Sequence, residues 1–162
     1  MFDKAIPHIS TVLNVLGDGN CGFRSAAASM GFPEDHWPII RSEMVHVLMN
    51  EPRYQDKSFM DNAWDTTFDK TLKSLQHKSG SAKTDQWFRV PDHAFLLAET
   101  YQRPVVFFSK SFSTLYAPQI KGPPLNKTSL TPICILNLEG LSHFISFKFA
   151  CSIWPAPHFH HC

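Results

Sequence analysis

The run Asp18-Gly19-Asn20-Cys21-Gly22-Phe23-Arg24 constrains this chain more than any other feature. Before it lies Thr11-Val12-Leu13-Asn14-Val15-Leu16, a β-branched and apolar stretch that predicts a buried strand over 11–16, stopping at Gly17-Asp18-Gly19. After it comes an alanine-rich stretch ended by Gly31, which predicts a helix over 20–30 with a glycine stop. Strand, tight turn and helix thus follow one another, with a cysteine at the last junction. A thiol there meets unpaired backbone N–H groups and the positive end of the helix dipole. Both favour thiolate and bring a cysteine pKa from about 8.5 into the range of roughly 3.5–7.5. Glycines let the backbone approach a substrate carbonyl, and the N–H groups of such a turn suit an oxyanion hole. A thiol nucleophile still needs a base, and the fold can bring one from any distance along the chain.

The remaining pattern predicts helices first and strands later. A helix is expected over 36–50, capped by Asp35, with Pro38 in its first turn and Ile39, Ile40, Met44, Val47 and Leu48 on one face. Another is expected over 58–76, with Phe59, Ala63, Trp64, Phe68, Leu72 and Leu75 as its apolar stripe. Residues 77–85 read as a loop, and 91–101 as a further helix opened by Pro91 and Asp92. Strands are expected over 105–109 and 114–117. A hairpin over 133–138 and 143–149 turns around Glu139-Gly140, and Gly122-Pro123-Pro124 marks an irregular loop. The early strand can join the late ones in one sheet. The fold class is therefore α+β, a mixed α/β arrangement with a small central sheet packed between helices.

Composition narrows the function classes. At 162 residues the chain suits one domain, expected over 1–151 with an irregular tail over 152–162. Lys plus Arg is 15 and Asp plus Glu is 14, so no bulk field draws the domain to nucleic acid or to an anionic membrane. No apolar run reaches the roughly 18 residues of a membrane span. The four cysteines, at 21, 134, 151 and 162, form no C-x-x-C pair, and they suit a reducing intracellular setting, cytoplasmic or nuclear. Cys134 sits in an apolar strand and reads as a buried small hydrophobe. His158, His160, His161 and Cys162 match no standard zinc spacing, so neither metal nor cofactor is expected.

The run from Asp18 to Arg24 resembles the D-G-N-C-x-F-R signature of the ovarian-tumour (OTU) cysteine proteases, papain-like deubiquitinases. Two further segments extend the likeness. Gln86-Trp87-Phe88-Arg89-Val90-Pro91-Asp92 leads into Phe95-Leu96-Leu97-Ala98 and Arg103-Pro104-Val105-Val106, which is similar to the tryptophan, helix and strand before the final hairpin of OTU domains. Pro132-Ile133-Cys134-Ile135 followed by Ser142-His143-Phe144 resembles the strand and histidine box that close that fold. The likeness spans residues 6–150, and its details look most like the OTU domains associated with transposons.

The resemblance implies a nucleophile at Cys21 and a general base at His143, with Asp18 opening the catalytic loop and shaping the oxyanion site. It implies substrate contacts from Gly19, Asn20, Gly22 and Trp87. Asn20 is also expected to cap the helix carrying Cys21, Arg24 to anchor the loop, and Phe23 and Ala26 to face the core. One position departs from the pattern. Many OTU domains carry Asp or Asn two residues after the histidine, where it orients the ring, and here Ile145 stands there. Asn137, on the preceding strand, is one candidate for the missing acceptor. The activity implied is hydrolysis after the C-terminal glycine of ubiquitin or a ubiquitin-like protein, by a monomer. Two alternatives stand beside it: an inactive module that binds such partners, which Ile145 keeps open, and a mobile-element protease acting on a polyprotein.

Overall fold

A computed structural model describes residues 6–56, 67–121 and 131–150. Five strands form one sheet: β1 (Ile9–Leu13), β2 (Val105–Phe108), β3 (Ser113–Tyr116), β4 (Ile133–Leu138) and β5 (His143–Phe149). Their order is β1-β5-β4-β2-β3. The β2–β4 pair is parallel, and the β1–β5, β4–β5 and β2–β3 pairs are antiparallel. The early strand therefore joins the late sheet, at its edge, as the pattern predicted. The central strands β2 and β4 read VVFF and ICIL over their buried lengths, because both of their faces are covered.

Alternation splits those side chains between two clusters. Val105, Phe107, Ile133 and Ile135 face one side, while Val106, Phe108, Cys134, Leu136, Ile145 and Phe147 face the other. Every described helical residue in the two clusters belongs to the first. Four helices supply it: α1 (Cys21–Met30), α2 (Trp37–Asn50), α3 (Phe68–Leu75) and α4 (Asp92–Tyr101). Helix α1 can lie directly on β4 and β5 because its buried residues are mostly small, with Ser25, Ala26, Ala27 and Ser29 following Phe23. Ser29 Oγ accepts the N–H of Cys134 at 2.7 Å, which fixes the helix to the sheet. Gly31 ends α1 with φ 88°, a left-handed conformation that glycine adopts without a Cβ penalty.

Several boundaries differ from the sequence reading. The first strand ends at Leu13, three residues earlier than expected, and Val15 is buried from the loop that follows. Ile39 is 46% exposed and leaves the core face of α2 to Trp37, Ile40, Arg41, Met44 and Leu48. Helix α3 begins after Thr67, whose extended backbone and side-chain bond to Lys70 N–H cap it. The expected helical residues 58–66, the loop at 122–124 and the tail over 152–162 lie outside the described residues. The hairpin over 133–138 and 143–149 has the predicted bounds.

Candidate active site

Cys21 is the first residue of α1, at the point where the chain turns off the loop after β1. His143 is the first residue of β5, just beyond the turn that closes the final hairpin. The two line one open cleft of about 510 Å³, together with Asn14, Val15, Gly17, Gly19, Trp87, Leu141 and Ser142. The fold thus brings together a thiol and an imidazole separated by more than a hundred residues.

The ring of His143 is oriented by a residue that the sequence reading passed over. Its Nε2 lies 2.8 Å from Oδ1 of Asn14. An amide oxygen can only accept, so the bond puts a proton on Nε2. Beside Nδ1 stands Gly17, where a Cβ would sit 3.4 Å away, so the absence of a side chain leaves the ring free space. Asn137 does not serve this role. It pairs with Phe144, while His143 pairs with Leu138, so Asn137 points to the opposite face of the hairpin. Ile145, opposite Leu136, lies buried in the apolar cluster of the second face.

Cys21 sits in a pocket that pulls its pKa both ways. Burial raises it, and Asp18 adds to that, while the backbone N–H groups of Phe144, Gly22 and Cys21 itself lower it. The net direction is upward, so the expected depression by the helix terminus does not prevail over desolvation. Two of those N–H groups, of Cys21 and Gly22, lie in the first turn of α1 without intrahelical partners, the arrangement that an oxyanion requires.

Asp18 shapes the loop instead of facing the histidine. Its carboxylate accepts the N–H of Asn20 at 2.9 Å and two guanidinium bonds from Arg24, at 2.7 and 3.2 Å. Partial burial would raise its pKa, but the Arg24 and Asn20 bonds outweigh that and hold it at about 2. Arg24 is therefore the loop anchor that the sequence suggested. Asp18 C=O also accepts Ala82 N–H at 2.8 Å, which ties the loop before α1 to a second loop over 77–83.

The glycines divide by function. Gly19 lines the cleft at φ 82°, and a Cβ there would strike the Ala82 carbonyl and come within 2.6 Å of Trp87 Nε1. Trp87 also lines the cleft and donates Nε1–H to the same carbonyl at 3.2 Å. Gly22 is buried and packs directly on Phe88, so it is a packing residue with only its N–H turned to the sulfur. Asn20 is wholly buried and cannot touch a substrate. It occupies the N-cap position of α1 but makes no capping bond. Its side chain instead donates to Gly80 C=O at 3.0 Å and accepts from Arg41 at 2.9 Å.

Sequence reasoning thus missed Asn14, Arg41 and the Gly80–Ala82 segment. Arg41 carried a signal: it stands on the same helical stripe as Trp37, Met44 and Leu48, a cation where the pattern wants a hydrophobe. Among the described residues no group of three or more metal-ligating side chains forms. Nor is any described helix long and apolar enough to cross a membrane.

The sequence matches no family model and no curated protein. Solved structures do resemble it. The OTU of Hazara virus bound to ubiquitin aligns with a TM-score of 0.61 at 17% identity, covering 90% of this chain and 84% of that one. The viral OTU domain protease of Dera Ghazi Khan virus aligns at 0.59 and 15%, over 90% and 84% of the two chains. That of Qalyub virus gives 0.59 and 13%, over 89% and 86%. With five strands in one sheet, helices on the Val105 face and a Cys–His cleft at their junction, this chain has the fold of the OTU domain proteases.

Proposed function

We propose that the protein is a thiol hydrolase that cleaves the isopeptide or peptide bond after the C-terminal glycine of ubiquitin or a ubiquitin-like protein. The observation that carries this reading is the Cys21–His143 cleft, with Asn14 bonded to Nε2 of the ring. Asn14 fixes the tautomer that leaves Nδ1 able to take the Cys21 proton, and the thiolate then attacks the scissile carbonyl. The N–H groups of Cys21 and Gly22 hold the oxyanion as the tetrahedral intermediate forms. His143 returns the proton to the leaving lysine amine, and water attacks the thioester to free the modifier and the enzyme. Gly17, Gly19 and Trp87 line a cleft in which a glycine tail, free of side chains, is the fitting guest. Because burial pushes the Cys21 thiol up, the resting sulfur is read as a thiol, with proton transfer accompanying attack.

A second reading, a ubiquitin-binding module without turnover, draws on the same burial of Cys21. The bound ubiquitin in the Hazara virus structure is compatible with either. An intracellular setting, cytoplasmic or nuclear, suits both, since a free thiol nucleophile needs reducing surroundings. Incubation with a panel of ubiquitin dimers separates them. Release of monomer that vanishes in Cys21→Ala supports the hydrolase, and binding without release supports the module.

A further inference from the structure

Behind the cleft lies a buried arginine that neither the nucleophile nor the base contacts. Arg41, on α2, is 1% exposed, and no carboxylate among the described residues bonds to it. Its Nη1 donates to Ser74 C=O at 2.7 Å, and its Nη2 donates both to Asn20 Oδ1 at 2.9 Å and to Gln86 C=O at 2.8 Å. Its guanidinium carbon sits 3.8 Å from the centre of the Phe23 ring, on the helix that Cys21 opens. Asn20 directly precedes Cys21, and Gln86 directly precedes Trp87. One nitrogen of one side chain therefore holds the residues that directly precede two of the side chains lining the cleft. Burial lowers the Arg41 pKa to about 9, yet the group stays charged at neutral pH, favoured by the more distant Asp18 charge.

A buried cation without a direct ion pair among the described residues is costly, and a hydrophobe at this place in the stripe would serve packing alone. What a hydrophobe cannot do is bond two separate loops from one rigid planar fork. The second link between the same walls runs through Ala82, whose N–H goes to Asp18 and whose C=O accepts from Trp87. With only that outer link the walls can pivot about Ala82. With Arg41 on the inner side, the distance between Cys21 and Trp87 is set at two points.

We propose that Arg41 is a positioning residue that fixes the width of the cleft between Cys21 and Trp87, so that an extended glycine tail is held in line for attack. This rests on the hydrolase reading for its consequence in turnover, but not for its geometry. The expected signature is a fall in kcat larger than the rise in KM, because the tail still docks but is misaligned with the sulfur.

The test uses Arg41→Lys, which keeps the charge and the stem and removes the fork, with Arg41→Met as a second variant of similar volume. Amide hydrogen exchange is followed in the folded proteins, about 20 °C below each melting point, alongside hydrolysis of ubiquitin carrying a C-terminal fluorogenic amide. The expected result for Arg41→Lys is faster exchange at both the 19–22 and the 86–88 segments, with kcat down at least tenfold and KM changed less than threefold. Arg41→Met gives the same pattern more strongly. A folded Arg41→Lys variant with unchanged exchange at both segments overturns the proposal, as does loosening of one wall alone. If the wild-type protein does not turn over the amide, the hydrolase reading fails, and the exchange pattern alone decides on Arg41.

Discussion

Removing the amide of Asn14 tests the orientation of the base most sharply. The 2.8 Å bond from His143 Nε2–H to Asn14 Oδ1 is the contact that selects the ring tautomer. It is exposed and neutral, so its net worth falls within about 0.5–1.5 kcal/mol. Translated at about 1.4 kcal/mol per decade, Asn14→Ala lowers kcat by about 2- to 13-fold. Loss of a buried orienting carboxylate in a serine triad costs about 10⁴-fold, and water can replace this exposed amide where it could not replace that carboxylate. Asn14→Asp restores an acceptor and adds a charge-assisted bond of roughly 1.5–3 kcal/mol to the imidazolium form. That variant therefore recovers wild-type kcat, with its pH profile moved toward alkaline values because the charged ring is favoured. Steady-state hydrolysis of ubiquitin with a C-terminal fluorogenic amide, from pH 5 to 9, measures both variants. Wild-type kcat in Asn14→Ala refutes the assignment, and so does a fall beyond 10³-fold, which an exposed neutral bond cannot produce.

Other perturbations follow from the same geometry. Cys21→Ala abolishes turnover while circular dichroism and melting stay near wild type, whereas Cys134→Ala keeps activity because that thiol is buried within the sheet and pushed up to about 12. Gly19→Ala adds a left-handed backbone cost of about 1–2 kcal/mol to a collision with the Ala82 carbonyl, so it lowers both the melting temperature and kcat/KM. Ile145→Asp places a carboxylate among Leu136 and Phe147 and costs about 3 kcal/mol or more in urea denaturation, with no gain in activity, since its face belongs to the core. Asp18, held at about 2 against an ordinary 3.8, contributes stability that is complete above pH 4 and lost as pH falls through 2. The contribution is roughly 1–2 kcal/mol once partial exposure is allowed for, and Asp18→Asn flattens the slope of denaturation midpoint with pH across that window.

The parts of this fold that were legible in the sequence are those set by local chemistry. Gly31 stops α1 because φ 88° there suits glycine, and Glu139-Gly140 sets the hairpin whose bounds came out as read. The first strand was read too far because Val15 and Leu16 continue its apolar run. Tertiary contacts bend the chain away at Asn14, which places that side chain on His143. Asn20 looked like a helix cap, but a buried guanidinium competes for its oxygen, and Arg41 is 21 residues distant in sequence. Long-range bonds of this kind leave no periodic trace. Asn137 is excluded by register: a hairpin that pairs Leu138 with His143 turns every second residue before it to the other face, Asn137 included. Thiolate formation at Cys21 was read from the helix terminus alone, and the burial that opposes it is a property of the assembled fold.

The central claim is that Cys21 is a nucleophile aimed at the C-terminal carbonyl of a ubiquitin-like tail. Ubiquitin whose terminal glycine is replaced by a propargyl amide reacts only with a thiol held at that carbonyl position. Peptide mapping after incubation with one equivalent reads the outcome directly. The account predicts a single adduct on Cys21, approaching one per protein, that is absent in Cys21→Ala and slowed in Asn14→Ala. No adduct on a folded protein that binds the probe, or an adduct on a cysteine other than Cys21, contradicts it.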